Sequence, residues 1–182
     1  TQVEDLEPLR GLPIRSMDLN GSPIRDLSAL RECPIEKLQV TSNKIGDEEI
    51  AALVETPIKQ LGITGTRVSG LAALAGLRLE NLHYCNTGNV KDLSPLKGMP
   101  LHELAIHRTP VTDLSPLKGM PLQVLEIEGT SVSDLSPLVG SRLKELHIDG
   151  TKADDLRPLL SMPLEKLRLD IRGDDDLALL RQ

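Results

Sequence analysis

The stretch DLSPLKGMPL occupies residues 92–101 and returns, letter for letter, at 113–122. Shorter copies follow the same spelling: DLSPL at 134–138, DLRPL at 155–159 and DLSAL at 26–30. Self-similarity at a fixed spacing is the signature of a repeat architecture and takes precedence over any residue-by-residue reading. Next to these copies runs a second landmark of the form L-x-x-L-x-I-x-G-T-x-V. Its fourth position falls on Met17, Leu38, Leu61, Leu82, Leu104, Leu125, Leu146 and Leu167, in steps of 21 to 23 residues. Eight such segments are therefore expected, preceded by a partial turn over 1–11.

Each unit changes its hydrophobic period part-way. Leu101, Leu104 and Ile106 are apolar, while Glu103, Ala105 and His107 lie between or after them. Alternation of this kind predicts a strand with one buried face. Leu114 and Leu117 then stand three apart, the spacing of a tight helical turn. Asp113 is placed to cap that turn, and Pro116 suits its first positions. Gly119 and Pro121 reverse the chain toward the next strand.

One strand and one turn cannot bury their own leucines, but identical units stacked in parallel can. In the fifth unit Leu101, Leu104, Ile106, Val111, Leu114 and Leu117 are the candidate core, each worth roughly 1.5–3 kcal/mol when fully buried. Layering explains how a chain with one Tyr and neither Phe nor Trp can fold. It also predicts that the end units are the least protected. A polar column, Ser22, Asn43, Thr66, Thr87, Thr109, Thr130 and Thr151, marks where each strand bends away. Small hydroxyls and amides there satisfy backbone groups that have lost their ladder partners, a structural role.

With these residues in place, the pattern resembles the leucine-rich-repeat superfamily over nearly the whole chain. The D-L-S-P-L turn is similar to the bacterial internalin subclass, and DLSPLKGMPL…GTxV to the short repeats of planctomycete-type bacterial proteins that accompany kinase domains. The resemblance implies an α/β chain: a right-handed parallel β solenoid, or horseshoe. It would hold about eight repeats of 21–23 residues, with strands on the concave face and 3₁₀ or short helical turns on the convex face. It also implies a concave surface that binds proteins or peptides. Three units depart from the pattern. TSNKIGDEEIAALVE (41–55) resembles the helix-bearing repeats of the ribonuclease-inhibitor type and predicts a two-turn helix. Gly70 replaces the capping Asp of the third unit, and the fourth carries an extra residue near Gly88-Asn89, a local bulge.

The chain starts mid-pattern at Thr1 and reads as one domain, 1–182, cut from a longer protein, such as one with a kinase domain. A net charge of −6 argues against nucleic acid, since phosphate binding needs a basic face. No apolar run approaches the length that spans a bilayer. Cys33 and Cys85 stand two to three units apart, too far for a disulfide, and free thiols favour a reducing compartment such as the cytoplasm without fixing the location. Catalytic motifs fail. Thr109 stands where His107-Arg108 would need a kinase Asp, and Leu71 follows Gly70 where a phosphate loop needs Lys. The expectation is a non-enzymatic chain with no cofactor and no metal.

Function therefore falls to the outward side chains of the strands. Glu103, Glu126, Glu128, Glu145 and Asp149 form an acidic patch over units five to seven, expected to raise some carboxyl pKa values and to attract a basic protein or peptide. His83, His107 and His147 share that surface and complete the candidate partner-binding set. A metal-assisted enzyme built on His83, Cys85 and His107 is the weakest alternative, because ordinary metal-site spacing is missing. Tyr84 takes a core position that is Ile or Val elsewhere. A spacer without a dedicated ligand is the runner-up, since the face offers few aromatic anchors.

Overall fold

The protein is described here from a computed structural model covering residues 4–41, 44–86, 88–174, 176 and 178. Eight three-residue strands form one parallel sheet in chain order. They are β1 (Ser16–Asp18), β2 (Lys37–Gln39), β3 (Gln60–Gly62), β4 (Asn81–His83), β5 (Glu103–Ala105), β6 (Val124–Glu126), β7 (Glu145–His147) and β8 (Lys166–Arg168). The eight landmark residues from Met17 to Leu167 are Cα partners in a single row. Each strand is short because the side chains that follow it must turn back over the core. Tight 3₁₀ turns then close the far side, as at Ser94–Leu96, Ser115–Leu117 and Ser136–Leu138.

The core is one continuous layered cluster. Leu101, Leu104, Ile106, Val111, Leu114 and Leu117 are all buried, as their spacing predicts. Tyr84 is fully buried and donates its hydroxyl to the Val68 carbonyl, so it is an enlarged core residue. Among the landmark residues, Met17 and Leu167 alone are only partly buried, and they sit in the end strands. That gradient follows from stacking: an end unit has a neighbour on one side only.

The aspartates do cap the turns, from one position further out than expected. Asp113 Oδ1 accepts the Ser115 N–H at 2.8 Å, two residues ahead, in an Asx turn that leads into the 3₁₀ segment. Asp5, Asp26, Asp92, Asp134 and Asp155 do the same at 2.8–3.0 Å. Gly70 supplies no such cap to the turn over Leu71–Leu74. Just before that turn the previous unit anchors the chain, where Asp47 Oδ1 accepts the Ser69 N–H at 2.8 Å.

The threonine column is structural. Thr66, Thr109, Thr130 and Thr151 each donate a hydroxyl to the carbonyl three residues back, at 2.7–2.8 Å. Asn43 and Thr87 lie outside the described residues. The residue before each threonine carries a positive φ: 69° at Gly65, 67° at Gly129 and 70° at Gly150, but also 57° at Asn86 and 56° at Arg108.

The second unit holds the expected helix in shorter form. Helix α1 (Asp47–Ala51) has five residues rather than two turns. Its start is favoured by Asp47, Glu48 and Glu49 beside the positive end of the helix dipole, and Glu49 Oε2 accepts the Gly46 N–H at 2.8 Å. Its length is cut by Thr56, whose hydroxyl caps the Leu53 carbonyl at 2.7 Å, and by Pro57, which disfavours helical geometry before it. The extra residue of the fourth unit falls beyond β4, which keeps its register with both neighbours.

Candidate functional site

Because the strands are in register, their outward side chains stand in columns. One column reads Asn81, Glu103, Val124, Glu145, Lys166; the next reads His83, Ala105, Glu126, His147, Arg168. Just past the strand ends come Cys85, His107, Glu128 and Asp149. Parallel neighbours lie about 4.8 Å apart, so residues within a column are in reach of one another.

At one edge of this surface Glu103 accepts the Asn81 amide at 2.5 Å and lies 2.7 Å from His83 Nε2. At the other edge Lys166 donates to Glu145 at 2.5 Å, and Arg168 donates to Asp149 at 3.3 Å. The Lys166 ammonium holds the Glu145 carboxyl below the usual carboxylate range. Glu126 and Glu128 stand between these pairs, and among the described residues neither has a Lys or Arg partner.

Buried polar atoms normally find hydrogen bonds. Among the described residues five buried side-chain atoms do not, and four of them belong to this patch: Glu128 Oε2, Asp149 Oδ1 and both ring nitrogens of His147. The His147 ring is near carboxylates all the same, with Nε2 2.9 Å from Glu145 Oε1 and Nδ1 3.7 Å from Glu126 Oε1. These distances suit ion pairing, but neither nitrogen is aligned to donate a hydrogen bond. Two sets of possible metal ligands share Glu126. Ligand atoms of Glu126, Glu145 and His147 lie within 4.8 Å of one another, and so do those of His107, Glu126 and Glu128.

The fold was compared with solved structures. It superposes on an internalin (InlF) of Listeria monocytogenes with a TM-score of 0.74 at 22% identity, covering 98% of this chain and 62% of that one. Internalin C2 of the same bacterium gives a TM-score of 0.73 at 27% identity, covering 93% of this chain and 77% of that one. The chain thus spans less than two thirds of the InlF structure. No protein-family model matches the sequence. No curated protein matches it either. The parallel eight-strand stack, the tight turns and these likenesses decide the fold. The chain has the leucine-rich-repeat fold.

On this leucine-rich-repeat surface the eight nominated residues do come together, over β4 to β7 and the positions just beyond them. His83, Glu103, His107, Glu126, Glu128, Glu145 and Asp149 are half-buried. His147 is not the outward side chain that alternation predicts, since only 5% of it is exposed. It stands in the outward column, but Glu126 and Glu145 lie against its ring and shield it. Ala105, Cys85 and Gly62 in the same columns are buried as well, because they are short and their neighbours are long. The expectation of raised carboxyl pKa values fails at Glu145, where the Lys166 pair outweighs the burial that pushes the carboxyl up.

The histidine–cysteine alternative also changes. Cys85 donates its thiol to the Ala105 carbonyl at 3.3 Å, and burial pushes its pKa up to about 11, which opposes a thiolate ligand. The ligand groupings centre on Glu126 instead. Alternation places the cations Lys166 and Arg168 on this face too, next in the columns after Glu145 and His147, but the candidate set left them out. It also left out Gly62, the one glycine in a strand among the described residues. There the Gln39 amide occupies the place of a Cβ, beside a hollow of about 150 Å³ bounded by Lys37, Gln60, Asn81 and Glu103.

Proposed function

We propose that this protein is a non-catalytic interaction module that docks another protein or peptide across the outward columns of β4 to β7. Solenoids present broad curved sheets of this kind, and surfaces of this kind are used for binding. The observation that carries the reading is the unbalanced charge of Glu126 and Glu128, which face the groove with no Lys or Arg partner among the described residues, flanked by carboxylates that are already paired. A partner presenting Lys or Arg side chains completes those interactions and is steered to the patch by its field. His83, Glu103 and His107 extend the contact on one side, Glu145, His147 and Asp149 on the other.

The test is titration of a fluorescent Lys/Arg-rich peptide at low and high salt against the wild type and the double variant Glu126→Lys/Glu145→Lys. Salt-sensitive binding that falls at least about tenfold in the double variant supports the reading, because each reversed contact opposes a cation. Equal binding by both proteins removes it.

One observation favours a second reading, that of a spacer between other domains. The single tyrosine is in the core and the chain has no Phe or Trp, so the strand face lacks the large aromatic anchors of most binding hot spots. Deleting the unit 113–133 separates the two readings. A spacer keeps its role in the full-length protein, whereas a docking face loses Glu126 and Glu128 with it.

A further inference from the structure

We infer that Glu126, Glu145 and His147 form a binding site for a divalent transition-metal ion of the Zn²⁺ class. Each residue offers one ligand atom, and the three atoms lie within 4.8 Å of one another. Zinc holds nitrogen and oxygen ligands at about 2.0–2.2 Å, so small rotations of two glutamate side chains are enough to close the shell.

Clustered acids alone do not make such a site. The independent observation is His147. Its ring is 5% exposed, it stands on a strand held by neighbours on both sides, and neither nitrogen has a hydrogen-bond partner. Yet Nε2 is 2.9 Å from Glu145 Oε1 and Nδ1 is 3.7 Å from Glu126 Oε1. The neutral ring keeps one N–H and has one lone pair, and the nitrogen bearing that lone pair, with no donor directed at it, can offer it to a cation held with the two carboxylates. The donor set then fixes the class of ion. Imidazole with carboxylates suits Zn²⁺ and its neighbours, whereas Ca²⁺ and Mg²⁺ take all-oxygen shells and Cu(I) takes sulfur.

Both glutamates are half-buried rather than enclosed, so the ion keeps a position open toward solvent. Lys166 is a built-in competitor, because its ammonium donates to the Glu145 oxygen nearest the His147 ring. The neighbouring set of His107, Glu126 and Glu128 shares one ligand, but its histidine is half-buried.

The site lies within the proposed docking surface but does not depend on a partner, and its test contains none. Zn²⁺ alone is titrated calorimetrically into chelator-stripped protein with Mg²⁺ in excess, and circular dichroism checks that each variant folds. The wild type is expected to take up one saturating ion. Glu126→Gln and His147→Gln each weaken binding at least about tenfold, the scale of losing an ordered ligand or its support. Lys166→Met tightens it several-fold, and Glu165→Gln and His107→Gln leave it unchanged. If His147→Gln does not fold, Glu126→Gln and Lys166→Met decide the matter. Absence of saturable binding overturns the site, as does binding unmoved by Glu126→Gln and Lys166→Met. So does loss of the ion in His107→Gln with retention in His147→Gln, which assigns it to the neighbouring set.

Discussion

The turn side and the strand face of this solenoid are built from the same units by opposite rules. On the turn side, six units use the same device, an aspartate accepting the N–H two residues ahead. On the strand face no column repeats: one runs from His83 through Ala105, Glu126 and His147 to Arg168. Repetition marks the places where the chain solves the problem of folding, and every unit must solve it alike. Variation marks the surface that folding leaves free. The same contrast holds inside each strand, where Leu104 is fixed by the stack and its flanking residues are not.

The largest test of that contrast sets a core residue against its surface neighbour. Leu104 is fully buried in the middle of the landmark row. Leu104→Ala should cost about 3 kcal/mol, from lost burial plus the cavity left behind. Glu126→Gln, one strand away, should change stability by less than about 0.5 kcal/mol, as surface substitutions usually do. Urea unfolding followed by circular dichroism measures both. Equal losses would show that the strand face is part of the folding apparatus, and the contrast would break.

A second test sharpens it at the bend after each strand, where repetition is imperfect. Gly150 has φ +70°, and a Cβ there would lie 3.3 Å from the Gly129 backbone. Gly150→Ala should therefore lose about 1–2 kcal/mol, the left-handed penalty for an L side chain. Arg108 occupies the equivalent position two units earlier with φ 56°. Arg108→Gly should do the reverse and gain about 0.5–1 kcal/mol, because relief of strain exceeds the entropy that glycine adds to the unfolded chain. Thermal unfolding of the two variants side by side reads the opposite signs. A loss in both would mean that the arginine side chain contributes more than its backbone costs.

The same contrast governs what could be read from the letters. The row from Met17 to Leu167, the turn caps and the buried Tyr84 were legible because each depends on spacing, and spacing repeats. The strand columns were legible too, since alternation assigns faces without further knowledge. The fate of His147 was not, because its burial depends on how far Glu126 and Glu145 reach across their neighbours. The pairing of Glu145 with Lys166 was missed for a related reason: alternation puts Lys166 on the face but does not show which carboxylate its long side chain reaches. The Asp47 contact to Ser69, just before the uncapped turn at Gly70, was hidden because it crosses from one unit to the next. Lengths of exceptional elements were also out of reach, and α1 ended early where Thr56 and Pro57 follow it.

The smallest effect concerns the repeated device itself. Asp155 accepts two hydrogen bonds from the Arg157 guanidinium, at 2.8 and 2.7 Å, and the Arg157 N–H at 3.0 Å. The guanidinium first, and the N–H second, hold its pKa down to about 2. An unfolded aspartate titrates near 3.9. The folded pKa is the lower one, so the ionised form favours the native state. That contribution is complete above about pH 4 and is lost as pH falls through about 2. Asp155→Asn removes the titration but keeps an acceptor oxygen for the turn. Its melting temperature should sit below the wild type at pH 5, and the gap should shrink at pH 2. Asp92 and Asp113, held low by the hydroxyl and N–H of Ser94 and Ser115, continue to titrate in both proteins, so the change in gap is a fraction of the total acid response. A gap that stays constant between the two pH values would mean that the turn uses the aspartate for its shape alone, and that its charge has no part in what the repeat conserves from unit to unit.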